Sequence, residues 1–174
     1  MERELFIEKL PPIEITRIYR APIEWVWRAW SDPEIIKQWW GPSRYISNHA
    51  KNDFRVGGKY LFDMESPEGK VTWSTGVYET IIPYKKIVCT DSFSDEFGNI
   101  ILGKDIGMPG VWPEKLYITI DFEKIDNNQT KIIIRHEGTP REVHDECIQS
   151  WNQSFDKLLE VVERYGDENL NMIQ

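Results

Sequence analysis

Cysteine is nearly absent: the 174 residues include only Cys89 and Cys147, which have neither the spacing of a zinc motif nor that of a disulfide framework. A domain of this size buries roughly 70% of the surface its unfolded chain exposes, so it folds without covalent staples. Two unpaired thiols fit a reducing compartment. No apolar run approaches the length of a membrane span, and the charged residues 1–12 lack the apolar core of a secretory signal. The expected location is the cytoplasm. Positive charge is in deficit, with 21 Lys and Arg against 29 Asp and Glu, a formal net charge of -8. Such a surface repels phosphate, which argues against nucleic acid and anionic membranes as partners. There is no internal repeat and no low-complexity stretch. The expectation is one domain over residues 13–166, with an N-terminal extension over 1–12 and a C-terminal tail over 167–174.

Aromatic side chains are plentiful: 8 Trp, 7 Tyr and 7 Phe. Rings of this size suit thick cores and the walls of binding sites alike. Their spacing, with that of the aliphatic residues, outlines the elements. Residues 13–20 alternate in part and predict a strand. Ala21-Pro22 opens a helix with Pro in its first turn, and Ile23, Val26, Trp27 and Trp30 give it one apolar face. Asp32 caps a second short helix, which carries Ile35, Ile36, Trp39 and Trp40 and stops at Gly41-Pro42.

From about residue 45 to 137 the pattern is that of an antiparallel sheet. Residues 59–82 form a hairpin around Ser66-Pro67-Glu68-Gly69, with Tyr60, Phe62 and Met64 on one face and Asp63 on the other. Further strands are expected over 86–94, 115–123 and 130–137. In the second of these Leu116, Ile118, Ile120 and Phe122 alternate with polar residues. A Gly-rich loop over about 95–113 holds Met108 and Trp112, and loops of that length are usually functional or mobile. Thr139-Pro140-Arg141-Glu142 fits a capping box. The helix it starts places Val143, Cys147, Trp151, Phe155, Leu158, Val162 and Tyr165 on one stripe and ends at Gly166. A long amphipathic helix after a meander of strands must lay that stripe on the sheet, so the class is α+β.

Several stretches carry a resemblance. They are Ile15-Thr16-Arg17, Ala21-Pro22, the run from Val26 to Glu34, Gln38-Trp39-Trp40-Gly41-Pro42, Asp53 to Tyr60, Gly76-Val77-Tyr78-Glu79, Trp112-Pro113, and Ser150 to Leu158. Together they are similar to the SRPBCC (START-like) superfamily. The closer resemblance is to the branch named for the C-terminal domain of the heat-shock-protein-90 ATPase activator. It spans about residues 13–165 and implies the helix-grip fold of the birch pollen allergen, a curved antiparallel sheet wrapped around a long C-terminal helix with a cavity between them. It implies no single activity, because the superfamily includes carriers of apolar molecules, cyclases and chaperone binders.

The residues expected to wall that cavity are Tyr60, Phe62, Met64, Trp73, Phe93, Trp112, Ile118, Ile120, Ile134, His136, Trp151 and Phe155. Such a wall suits an apolar small molecule, although the same side chains could simply fill the core. His136 shares strand parity with Ile132 and Ile134 and should point inward, either as a ligand anchor or acid–base group or as a hydrogen-bonded core histidine. His144 and Cys147 have a spacing that allows two metal ligands, but no third is evident. Gly57-Gly58-Lys59 lacks the phosphate-loop spacing and reads as a turn. No catalytic triad or cofactor motif is present, so neither a cofactor nor a metal is expected. The leading expectation is non-enzymatic binding of an apolar or amphipathic molecule. The alternatives are a chaperone-associated interaction domain and a cyclase-like or hydrolase-like enzyme using His136. No motif chooses between monomer and homodimer.

Overall fold

The computed structural model describes residues 10–170. Seven strands form one antiparallel sheet: β1 (Ile13–Tyr19), β2 (Ala50–Asn52), β3 (Lys59–Glu65), β4 (Val71–Ile82), β5 (Lys86–Ser94), β6 (Leu116–Asp126) and β7 (Gln129–Glu137). Their order is β1-β7-β6-β5-β4-β3-β2. Two short helices, α1 (Ile23–Ser31) and α2 (Pro33–Trp39), follow β1. The long helix α3 (His144–Leu170) closes the domain against the sheet. This is the α+β helix-grip arrangement.

Alternation along the strands sets the inner face. Ile118, Ile120 and Phe122 of β6 pair across to Ile132, Ile134 and His136 of β7, and all six are buried. Beneath them lie Trp30, Trp39, Phe155, Leu158 and Val162, which join sheet and helices in one core. Full burial of a side chain of this kind contributes roughly 1.5–3 kcal/mol. Trp39 is fully buried, and its indole N–H donates to the Ala29 carbonyl at 2.9 Å, so its one polar atom is satisfied. Polar clamps then hold α3 in place. Arg17 of β1 donates to Asp156 and Asn152 of α3. The Lys157 ammonium donates to the Gly41 and Tyr45 carbonyls at 2.9 and 3.1 Å, fixing the turn after α2.

Three helix boundaries depart from expectation. Pro22 and Pro140 have extended ψ values of 150° and 149° and stand at the cap positions themselves, one residue ahead of the first helical turn. Thr139 therefore lies too early to cap, and the box with Glu142 does not form. A 3-10 turn over Arg141–Val143 leads into α3 instead, and the Thr139 hydroxyl pairs with His144 Nδ1 at 3.1 Å. Gly166 does not end α3. Tyr165 stacks flat on Trp25, with ring centroids 5.9 Å apart, which anchors the turn carrying Gly166, and the helix runs on to Leu170. Asp32 caps α2 as expected, accepting from the Glu34 N–H at 3.0 Å. The proposed extension over residues 1–12 falls mostly outside the described residues, as do residues 171–174 of the proposed tail.

Gly76 is the position of closest backbone approach. It pairs with Tyr60 across β3 and β4, and a Cβ there would collide with the Thr90 carbonyl and come within 2.5 Å of the Tyr60 ring. Gly76→Ala is expected to lower stability by about 3 kcal/mol through overpacking, read as a reduced midpoint in urea unfolding.

Candidate functional site

The interior between sheet and α3 divides into two parts. Towards the C-terminal half of α3 it is packed: Tyr60, Phe62, Ile118 and Ile120 surround a void of only about 30 Å³. Towards the N-terminal half it opens into a cavity of about 470 Å³. Met64 of β3, Phe93 of β5, Trp112 of the loop before β6, His136 of β7 and Trp151 of α3 line this cavity together, joined by Trp40 and Tyr45. The loop is folded back on itself. Trp112 donates to the Pro109 carbonyl at 2.9 Å and meets Phe93 edge to face with centroids 4.9 Å apart. Its ring leaves no room for a Cβ on Gly103, which explains the glycine there.

Seven of the expected wall residues lie elsewhere. Tyr60, Phe62, Ile118, Ile120, Ile134 and Phe155 belong to the packed core, because α3 descends onto the sheet at that end. Trp73 is on the opposite face of the sheet. The hairpin register pairs it with Asp63, so the outward parity of Asp63 is also that of Trp73. There Trp73 lies beside His49, whose Nδ1 is 2.7 Å from the buried Asp63 carboxylate.

The cavity contains a polar group outside the expected wall. Asp91 sits on β5 at the same parity as Ile87, Cys89 and Phe93, opposite Leu116 of β6. Its Oδ1 lies 2.9 Å from the Tyr60 hydroxyl, which is equally close to the Thr90 carbonyl. Its Oδ2 is 3.4 Å from His136 Nε2. The available signal is a carboxylate among the otherwise apolar residues of one parity, Ile87, Cys89 and Phe93. Ser74, Ser150 and Cys147 also face the cavity, and the exposed Lys70 and Glu146 stand at its edge.

Hydrogen bonding fixes the state of His136. The Trp151 indole N–H donates to His136 Nδ1 at 3.0 Å. An indole nitrogen only donates, so Nδ1 accepts and the neutral ring carries its proton on Nε2, facing Asp91. Neither nitrogen is left to take a proton from a ligand, and the geometry gives no support to His136 as a general base. The local field is negative. Burial, followed by the charge of Asp91, raises the Tyr60 phenol well above its usual range. Burial, then Glu146 and Asp91, pushes the Cys147 thiol up to about 11. Among the described residues no cluster of three His, Cys, Asp or Glu is placed to hold a metal ion.

A seven-stranded antiparallel sheet closed by a long C-terminal helix, with two short helices after the first strand, defines a helix-grip domain. The chain belongs to the family described as Activator of Hsp90 ATPase homolog 1-like protein, whose model matches residues 20–163. Among solved structures, a Chromobacterium violaceum protein is similar at 28% identity and TM-score 0.72, covering 88% of this chain and 97% of its own. A Nitrosomonas europaea protein shares the fold at 19% identity and TM-score 0.71, with 89% and 96% covered. So does the AHSA1 protein of Silicibacter pomeroyi, at 18% identity and TM-score 0.68, with 86% and 95% covered. No curated protein matches the chain. Family and fold together are those of ligand-binding or Hsp90-ATPase-activator-like domains. Among the described residues no helix is long and apolar enough to cross a membrane.

Trp151→Phe keeps the ring and removes the donor to His136. The variant is expected to lose about 1–3 kcal/mol, the cost of an unpaired buried acceptor. Its imidazole nitrogen shifts should lose the Nε2-protonated signature that this geometry predicts for the wild type. Unchanged shifts would show that the indole does not set the tautomer.

Proposed function

We propose that this domain binds an apolar or amphipathic small molecule in the cavity between the sheet, the 95–115 loop and the N-terminal half of α3. The observation that carries the reading is the cavity itself. Its volume of about 470 Å³ falls in the range of ligand sites, about 300–1,000 Å³. Aromatic rings wall it, and a few polar groups converge near Asp91 and His136, the composition that orients a mostly apolar ligand. The core beside it is already filled, so these rings are not needed to complete packing there. Titration with the neutral dye Nile red tests the proposal. Wild-type protein should raise the dye's fluorescence in a saturable way. Ser150→Trp, which places an indole in the cavity from α3, should abolish that rise while leaving the melting temperature little changed. Equal dye binding by the variant would place the binding site elsewhere.

A second reading follows from the family description together with exposed apolar residues on the same loop: Phe97 is 79% and Val111 86% exposed. In that reading the loop contacts a chaperone of the Hsp90 class. Purified chaperone should then hydrolyse ATP faster when the chain is added, and the Phe97→Ser, Val111→Ser double variant should lose the effect. An ATPase rate indifferent to the wild-type chain would remove this reading.

A further inference from the structure

We infer that the ligand of this cavity is an amine, held as a cation with its protonated nitrogen against Asp91 and its apolar body among Trp40, Phe93, Trp112 and Trp151. The inference rests on the cavity being a ligand site and adds the chemical class of what fills it.

Among the described residues the Asp91 carboxylate has no lysine or arginine as a counter-charge. The Asp91 side chain is 19% exposed and lines the cavity. Among the described residues its hydrogen-bond and ion-pair partners are the neutral Tyr60 hydroxyl and His136, and no lysine or arginine forms an ion pair with it. His136 is 7% exposed, and its Nε2 is buried without a hydrogen-bond partner. At 3.4 Å from Oδ2 it stops short of completing the shell around the carboxylate. Removing a carboxylate from water is costly unless charge and hydrogen bonds compensate for it. The Tyr60 hydroxyl supplies part of that compensation. A cation entering the cavity supplies the remainder, through a charge-assisted hydrogen bond of the stronger kind.

The surroundings favour the same ligand. Indole and phenyl faces attract cations as well as apolar groups, and the cavity presents four of them besides Tyr45. Glu146 stands at the edge, and the chain carries a net charge of -8, so the long-range field draws cations and repels carboxylates. On the same wall the Cys147 thiol is pushed up, chiefly by burial and then by the charges of Glu146 and Asp91. Lys70 at the exposed edge is the basic lysine of the lining, and its ammonium forms no ion pair with Asp91.

Three probes of one shape separate charge from size: naphthylethylamine, naphthylethanol and naphthylacetate, each titrated calorimetrically into the full-length chain at neutral pH. In wild type the amine should bind at least about tenfold more tightly than the alcohol, and the acetate should bind weakest. Asp91→Asn should bring the amine down to the level of the alcohol. Alcohol or acetate binding as tightly as the amine to wild type overturns the inference, and this ranking needs no variant to fold. Should all three probes fail while Nile red binds, the amine inference falls and the cavity remains a ligand site. Should Nile red fail as well, both fall together.

Discussion

The ring of Tyr60 lying over Gly76 is the contact on which both parts of the interior depend. Only a residue without a Cβ lets the ring lie this close to the backbone of β4. The ring stacks on Phe62, with centroids 4.7 Å apart, and so closes the packed side of the core. Its hydroxyl reaches the other way, to the Thr90 carbonyl and Asp91. One side chain therefore seals the core and positions the charged group of the cavity. Displacing it by the width of a methyl group would disturb packing and electrostatics at once, which ties the site to the stability of the hairpin rather than to a mobile loop.

From that contact the division of α3 follows. The helix presents one continuous stripe, but it meets two different surfaces. Phe155, Leu158, Val161 and Val162 descend into the core and are buried to 3% exposure or less. Val143, Cys147, Ser150, Trp151 and Ser154 face the cavity. The small side chains of Ser150 and Ser154 leave space where the later turns carry Leu and Val. The helix clamps, Arg17 to Asn152 and Asp156 and Lys157 to the turn after α2, lie at this boundary and hold the helix at a fixed height over the sheet. The cavity persists because polar anchors, not collapse, determine how closely α3 approaches there.

Much of the fold was legible in the sequence because it rests on local periodicities. Alternation through residues 116–122, the Asp32 cap and the stripe of α3 each report a local environment, and the resemblance ordered them into a helix grip. The candidate site was only partly legible. Met64, Phe93, Trp112, His136 and Trp151 meet at the cavity, yet Tyr60, Phe62, Ile118, Ile120, Ile134 and Phe155 have the same inward parity and fill the core. Parity gives the face of a sheet, whereas position along the strand decides between core and cavity, and that depends on where the helix lands. Trp73 was misplaced for a different reason. The register of the hairpin rests on the turn, where Ser66 accepts from Gly69 and Lys70, and a one-residue difference in register reverses every face.

Asp91 departs from the packing pattern of its own strand. Its strand obeys the core pattern at Ile87 and Cys89, then breaks it with a carboxylate before resuming with Phe93. A hydrophobic residue at that position would extend the core by one layer and remove a desolvated charge, so folding alone does not account for aspartate there. Local departures from the rules of packing concentrate at functional sites, where stability is given up for binding or chemistry. Three side chains from separate strands and the helix converge on this one: Tyr60 from β3 on one oxygen, His136 from β7 near the other, and Trp151 from α3 fixing the proton of His136. Shape alone would need none of them. An oriented carboxylate with no lysine or arginine paired to it among the described residues does need them, and that is the arrangement from which an amine ligand would gain most.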